Sequence, residues 1–166
     1  MISLTMSAAA LIVSITALVM NRKQWRITNR PDVYVRLINP KAGNAGTPYE
    51  LQVLNIGNRP AFDVRLKTDQ QALLDAYDSE SKSDHNDIEA CFSEATTIGL
   101  LTPGESTVAA FGYNSHGDCA WKMESVLPIE IHYRDGENRA FVTEGTLRIR
   151  TRNGFSGYTW GDRKAE

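Results

Sequence analysis

The sequence predicts a mainly β protein: an antiparallel β-sandwich of about seven strands with a short helical insertion, preceded by one transmembrane helix. Three observations carry this expectation. Residues Ile2 to Met20 form an apolar stretch without a charge, ISLTMSAAALIVSITALVM. Beyond it, apolar residues alternate with polar ones in short runs punctuated by Gly, Pro and Asn. Residues 69–95 form an acidic stretch that breaks the alternation and takes helical spacing instead.

The first element is the anchor, expected over 1–21. A helix rises about 1.5 Å per residue, so roughly 20 residues cross a hydrocarbon core of about 30 Å. A cleaved signal peptide carries its basic residues before the apolar run. Here Met1 to Thr5 has none and the cations follow, which favours an uncleaved anchor. A basic juxtamembrane linker is expected over 22–30, with Arg22, Lys23, Trp25, Arg26 and Arg30 as the flank and Trp25 at headgroup level. Lys and Arg are retained on the cytoplasmic side, so the expected orientation is N-terminus out and C-terminal domain in the cytoplasm. Ser3, Ser7, Ala10, Ser14 and Ala17 recur at spacings of four and three along the helix. Such a stripe lets membrane helices approach closely and is the candidate face for a homo-oligomer or a membrane partner, although small residues are common in membrane helices anyway.

The β-domain is expected over 31–152. Val33, Val35 and Leu37 alternate with Tyr34 and Arg36, and Leu51 and Val53 with Glu50 and Gln52. Phe62, Val64 and Leu66 alternate with Asp63, Arg65 and Lys67. Leu127, Ile129, Ile131 and Tyr133 alternate with Pro128, Glu130, His132 and Arg134, and Leu147 and Ile149 flank Arg148. Each pattern buries one face of a sheet and wets the other. Asn55 to Pro60 links two strands, with Gly57 available for positive φ. Thr102-Pro103-Gly104-Glu105 reads as a type II turn and Arg134 to Asn138 as a hairpin turn.

In the acidic insertion, Ile88, Cys91, Phe92 and Ala95 follow helical spacing, with Asn86 and Glu89 as a capping box. Leu73, Leu74 and Tyr77 suggest another short turn. Asp75, Asp78, Asp84, Asp87 and Glu89 make it a candidate protein-contact surface, or a solvated linker over one edge. Arg148, Arg150 and Arg152 are expected on one strand face, with Arg134 and Arg139 on the preceding arm. That basic face either meets an acidic partner or guards an edge strand against aggregation. The Gly-rich aromatic tail, 153–166, has no strand periodicity.

Two motifs carry a resemblance. Asn55-Ile56-Gly57-Asn58-Arg59-Pro60-Ala61-Phe62-Asp63-Val64 resembles the N-x-G-x-x-P-A-x-(N/D)-V hairpin of bacterial immunoglobulin-like, adhesion-related (CARDB-like) domains. Leu101-Thr102-Pro103-Gly104-Glu105 is similar to the L-x-P-G-E turn of the same domains. An apolar helix, a basic flank and then Arg30-Pro31-Asp32-Val33 also resembles small single-pass bacterial membrane proteins. The resemblance implies the fold and a bacterial inner membrane, and says almost nothing of activity.

The net charge of −2 gives no basic field for nucleic acid, and none is expected as a partner. The chain has no P-loop, dinucleotide fingerprint, G-x-S-x-G or H-E-x-x-H. His116 and Cys119 are metal-capable but lack a second pair at ligand spacing, so no metal and no cofactor are expected. The expectation is a non-enzymatic interaction or scaffold module whose partners are the lipid bilayer and a protein. Two alternatives stay open: a periplasmic-facing envelope protein with a Cys91–Cys119 disulfide, and a hydrolase or metal-dependent enzyme using His116 and nearby acids.

Overall fold

The computed structural model describes residues 2–39, 46–81, 85–115 and 117–150, with the side chains of residues 2–6, 8, 9 and 47 outside that description. Helix α1 (Ile2–Thr28) leads into strands β1 (Val33–Ile38), β2 (Thr47–Asn55) and β3 (Ala61–Lys67). Helices α2 (Gln70–Ala76) and α3 (Asn86–Ala90) follow. Strands β4 (Ile98–Leu101), β5 (Ser106–Asn114), β6 (Val126–Arg134) and β7 (Ala140–Arg148) complete the described elements. The strands form two antiparallel sheets, β1-β2-β5 and β4-β3-β6-β7, packed as a sandwich.

Alternation builds the core. Val33 and Val35, Tyr49, Leu51 and Val53, and Leu127, Ile129, Ile131 and Tyr133 are all buried, while the residues between them point outward. Pro128 is tolerated in β6 because β3 pairs only with Glu130 to Arg134, leaving Pro128 opposite Thr146 of β7 alone. In β3 the expected phase slips. Asp63 has φ 52° and the register shifts between Phe62 and Arg65, so Ala61 and Val64 are buried while Phe62 is only half-buried. A bulge of this kind turns the strand by one position.

The turn motifs act through hydrogen bonds. Asn55 is fully buried; its amide donates to the carbonyls of Arg59 (2.7 Å) and Leu101 (2.9 Å). Its Oδ1 accepts from the backbone N–H of Asp32 (3.3 Å) and Gly57 (3.0 Å). One side chain thus ties the start of β1, the β2–β3 connection and the end of β4. Gly57 is needed for close approach rather than for positive φ: a Cβ there would lie 2.4 Å from the Asp32 nitrogen and 2.6 Å from the Arg30 oxygen. The type II turn forms as expected, with Gly104 at φ 79° and Glu105 N–H donating to Thr102 O at 3.0 Å.

Helix α1 does not stop at the basic flank but runs on through Thr28, where Asn29 closes it with its backbone and side-chain N–H both on Trp25 O. Pro31 then forbids continuation. Among the described residues, no helix is long and apolar enough to cross a membrane. The apolar side chains described in α1 run from Ala10 to Met20, about 16 Å of helix and roughly half of a hydrocarbon core. The expected transmembrane helix is therefore not met by those residues alone; the side chains of Ile2 to Met6, Ala8 and Ala9 lie outside them.

Candidate functional site

The two long sides of the sandwich differ. On one, β1 packs against β7, and Tyr133 seals the join. Its ring stacks on Phe141 (5.5 Å between centroids), and its hydroxyl meets Thr143 Oγ1 (3.1 Å) and Pro31 O (3.5 Å). On the other side β4 pairs with β3 and not with β5, so β5 presents an edge. An apolar cleft of about 430 Å³ opens there, floored by Leu51, Val53, Val64 and Leu66 and rimmed by Ile98 and Val108. Val108 and Leu100 are exposed on its two edge strands. Helix α3 lies over the middle of β5.

Cys91 and Asp87 are the ionisable residues that line this cleft. Burial, reinforced by Asp87, pushes the Cys91 thiol up, so it stays protonated at neutral pH and is a weak nucleophile. Cys91 caps α3 and is half-buried, less so than its helical spacing suggests; its thiol donates to Asp87 O at 3.3 Å. Both cysteines are free. Cys91 sits beside Ala110 and Cys119 bridges to Asn114, four residues farther along β5. The alternative Cys91–Cys119 bridge is thus absent from this structure.

The acidic insertion is the expected pair of short helices between β3 and β4, but its caps differ. Asp69 caps α2 by accepting from Ala72 N–H at 2.9 Å. At α3 the N-cap is His85, without a side-chain cap bond, so Asn86 and Glu89 form no capping box. Leu73, Ala76 and Ile88 face the core, which leaves Asp75, Asp87 and Glu89 exposed and Asp78 half-buried; Asp84 lies outside the described residues. Sequence reasoning missed what the insertion packs on. Tyr77 stacks on His85 (3.9 Å) and leans on buried Trp121 (5.3 Å), which stacks on Phe111 (4.8 Å). Burial first, then Glu89 and Cys91, pushes the Tyr77 phenol up to about 12. Asn114, also buried, holds Trp121 by exchanging hydrogen bonds of 3.1 Å with its backbone.

Arg134 and Arg148 lie on the outward face of the β6–β7 hairpin but at its opposite ends, about 26 Å apart, with Arg139 at the Arg134 end. Arg150 lies beyond the strand and pairs with Glu124 (3.4 Å); Arg152 lies outside the described residues. Arg139 is bound to Asp135, whose side chain is 2 % exposed, through Nε (2.7 Å) and a terminal nitrogen (2.6 Å). Burial alone raises the Asp135 carboxyl, but hydrogen bonds from Arg139 and from Glu137 N–H together hold it below the usual carboxylate range.

Of the small-residue stripe, Ala10, Ser14 and Ala17 are exposed, and Ser14 donates to Ala10 O (2.9 Å); the side chain of Ser3 lies outside the described residues, and Ser7 is exposed. Arg22, Lys23, Trp25 and Arg26 are exposed on the last turns of α1, with Arg59 stacked over the Trp25 ring at 4.7 Å. No three His, Cys, Asp or Glu among the described residues could hold a metal ion, and His116 lies outside them.

A family model, described as "Domain of unknown function (DUF8453)", matches residues 1–152. The chain belongs to that family. Its matched span takes in α1 and the sandwich together. A comparison with curated proteins found no match. The residues that carry the adhesion-related resemblance serve here as a hydrogen-bonding hub, at Asn55, and a positive-φ turn, at Gly104.

Proposed function

We propose that the chain is a membrane-tethered, non-enzymatic interaction module of the bacterial inner membrane, with its sandwich on the cytoplasmic side. The observation that carries this reading is the surface of α1. Leu11, Ile12, Val13, Ile15, Leu18, Val19 and Met20 are between 54 % and 69 % exposed, around the whole helix rather than along one stripe. A helix apolar all round belongs in lipid or in a core, and the sandwich does not cover this one. Thr16 and Ser14 donate to carbonyls four residues back, so neither hydroxyl needs a partner in lipid. The cations after Met20 favour retention on the cytoplasmic side.

The module is immunoglobulin-like in this reading. Its strand order differs from the constant-type arrangement in one respect: β4 sits beside β3 instead of beside β5. That single difference exposes the β5 edge and the cleft, which an extended segment of a protein partner would occupy by adding a strand. The protonated Cys91 and the apolar cleft walls support binding rather than chemistry. Membranes from cells expressing the tagged chain, cross-linked and solubilised gently, test the reading. A partner held by the parent chain and lost with Val108→Arg is expected; recovery of the chain alone would overturn it.

A further inference from the structure

We infer that the groove between the last turns of α1 and the β6–β7 hairpin is a binding site for the phosphate of an anionic lipid headgroup; this rests on the membrane-tethered reading. The groove measures about 660 Å³ and is walled by Arg22, Lys23, Arg26 and Arg30 on one side and Arg139 on the other. Positions 19, 22, 23, 26 and 27 follow helical spacing, so Arg22, Lys23 and Arg26 share one face of α1 with Val19 and Ile27, and Arg30, two residues past the helix end, lines the same groove. Across from them, Ala140 and Phe141 supply an apolar wall.

The charge is unbalanced. No acidic residue lines the groove, and none of the four α1-side cations enters an ion pair among the described residues. Arg139 is different, since Asp135 and Glu137 already hold it; it fixes the far wall rather than adding a free charge. Depth fits as well. Arg22 lies two residues past the apolar run and Arg26 six, about 3 Å and 9 Å along the axis. Helical side chains lean toward the N-terminus, here back toward the bilayer, which returns these guanidinium groups to the headgroup layer. Arginine suits phosphate because its planar fork donates two parallel hydrogen bonds.

The test places the full chain in nanodiscs of equimolar phosphatidylcholine and phosphatidylglycerol and weighs the lipid it retains by native mass spectrometry. Retention of phosphatidylglycerol over phosphatidylcholine by at least about fivefold is expected. The double variant Arg26→Gln/Arg30→Gln should lose that preference while still entering nanodiscs. Arg148→Gln/Arg150→Gln, at the far end of the sandwich, should keep it. Equal retention of both lipids by the parent chain, or a preference that survives loss of Arg26 and Arg30, overturns the site. Displacement of phosphatidylglycerol by inorganic phosphate overturns the lipid assignment in favour of free phosphate. Failure of the parent chain to enter the nanodiscs overturns the tether itself, a different outcome.

Discussion

The sandwich joins its sheets along one side and leaves them apart along the other. At the β1/β7 side, Tyr133 stacks on Phe141 and hydrogen-bonds Thr143 and Pro31, so one side chain fills volume and meets polar groups of two other segments. At the β4/β5 side, β4 pairs with β3, and the gap beside β5 is met by a five-residue helix and a thiol rather than by a strand. The closed side is built for stability. The open side leaves apolar surface and strand edge available, which a sandwich retains at some risk of aggregation unless a partner covers it.

The largest expected effect lies on the closed side. Tyr133→Ala should cost about 3–5 kcal/mol in a urea titration of the detergent-solubilised chain, by cavity creation and lost hydrogen bonds. The hairpin beside it is pH-sensitive. The Asp135 carboxyl is held below its unfolded value, so the stability it contributes is present above about pH 4 and is lost as pH falls through the lower folded value. Asp135→Asn should cost about 2 kcal/mol at pH 7 and flatten that acid limb in melts measured from pH 7 to pH 3. On the open side, Cys91→Leu fills the cleft and should change stability by less than about 1 kcal/mol in either direction. The smallest effect belongs to Glu94→Gln, which removes the exposed Lys67–Glu94 pair (3.7 Å) and should shift the same titration by no more than about 0.5 kcal/mol. A loss at Cys91 as large as that at Tyr133 would erase the distinction between the two sides.

How much of this was legible in the sequence follows the same division. Strand β6 reads directly from Leu127 to Tyr133, because a strand between two neighbours with one wet face alternates strictly. Strand β5 does not, since at an edge Val108, Ala109 and Ala110 are all exposed and carry no period. The bulge at Asp63 hid the phase of β3. The Tyr77, His85, Phe111 and Trp121 cluster joins residues far apart in the chain, so no local pattern announces it. Helix α1 outran its expected end because charge sets where an apolar run stops, whereas Asn29 and Pro31 set where a helix stops. Asn55 and Gly57 were readable as a turn, but their hydrogen bonds and the tight approach to Arg30 and Asp32 depend on β1 and β4 being in place.

The central claim is that α1 tethers the sandwich to a membrane with its domain in the cytoplasm. A cysteine-free chain carrying Lys122→Cys, at an exposed position on the β5–β6 connection, tests it in two separate assays: alkaline carbonate extraction, and labelling of sealed membranes with a membrane-impermeant maleimide. The account predicts that the chain stays in the carbonate pellet and is labelled in inverted vesicles but not in spheroplasts. Release into the carbonate supernatant, or labelling in intact spheroplasts, would contradict it.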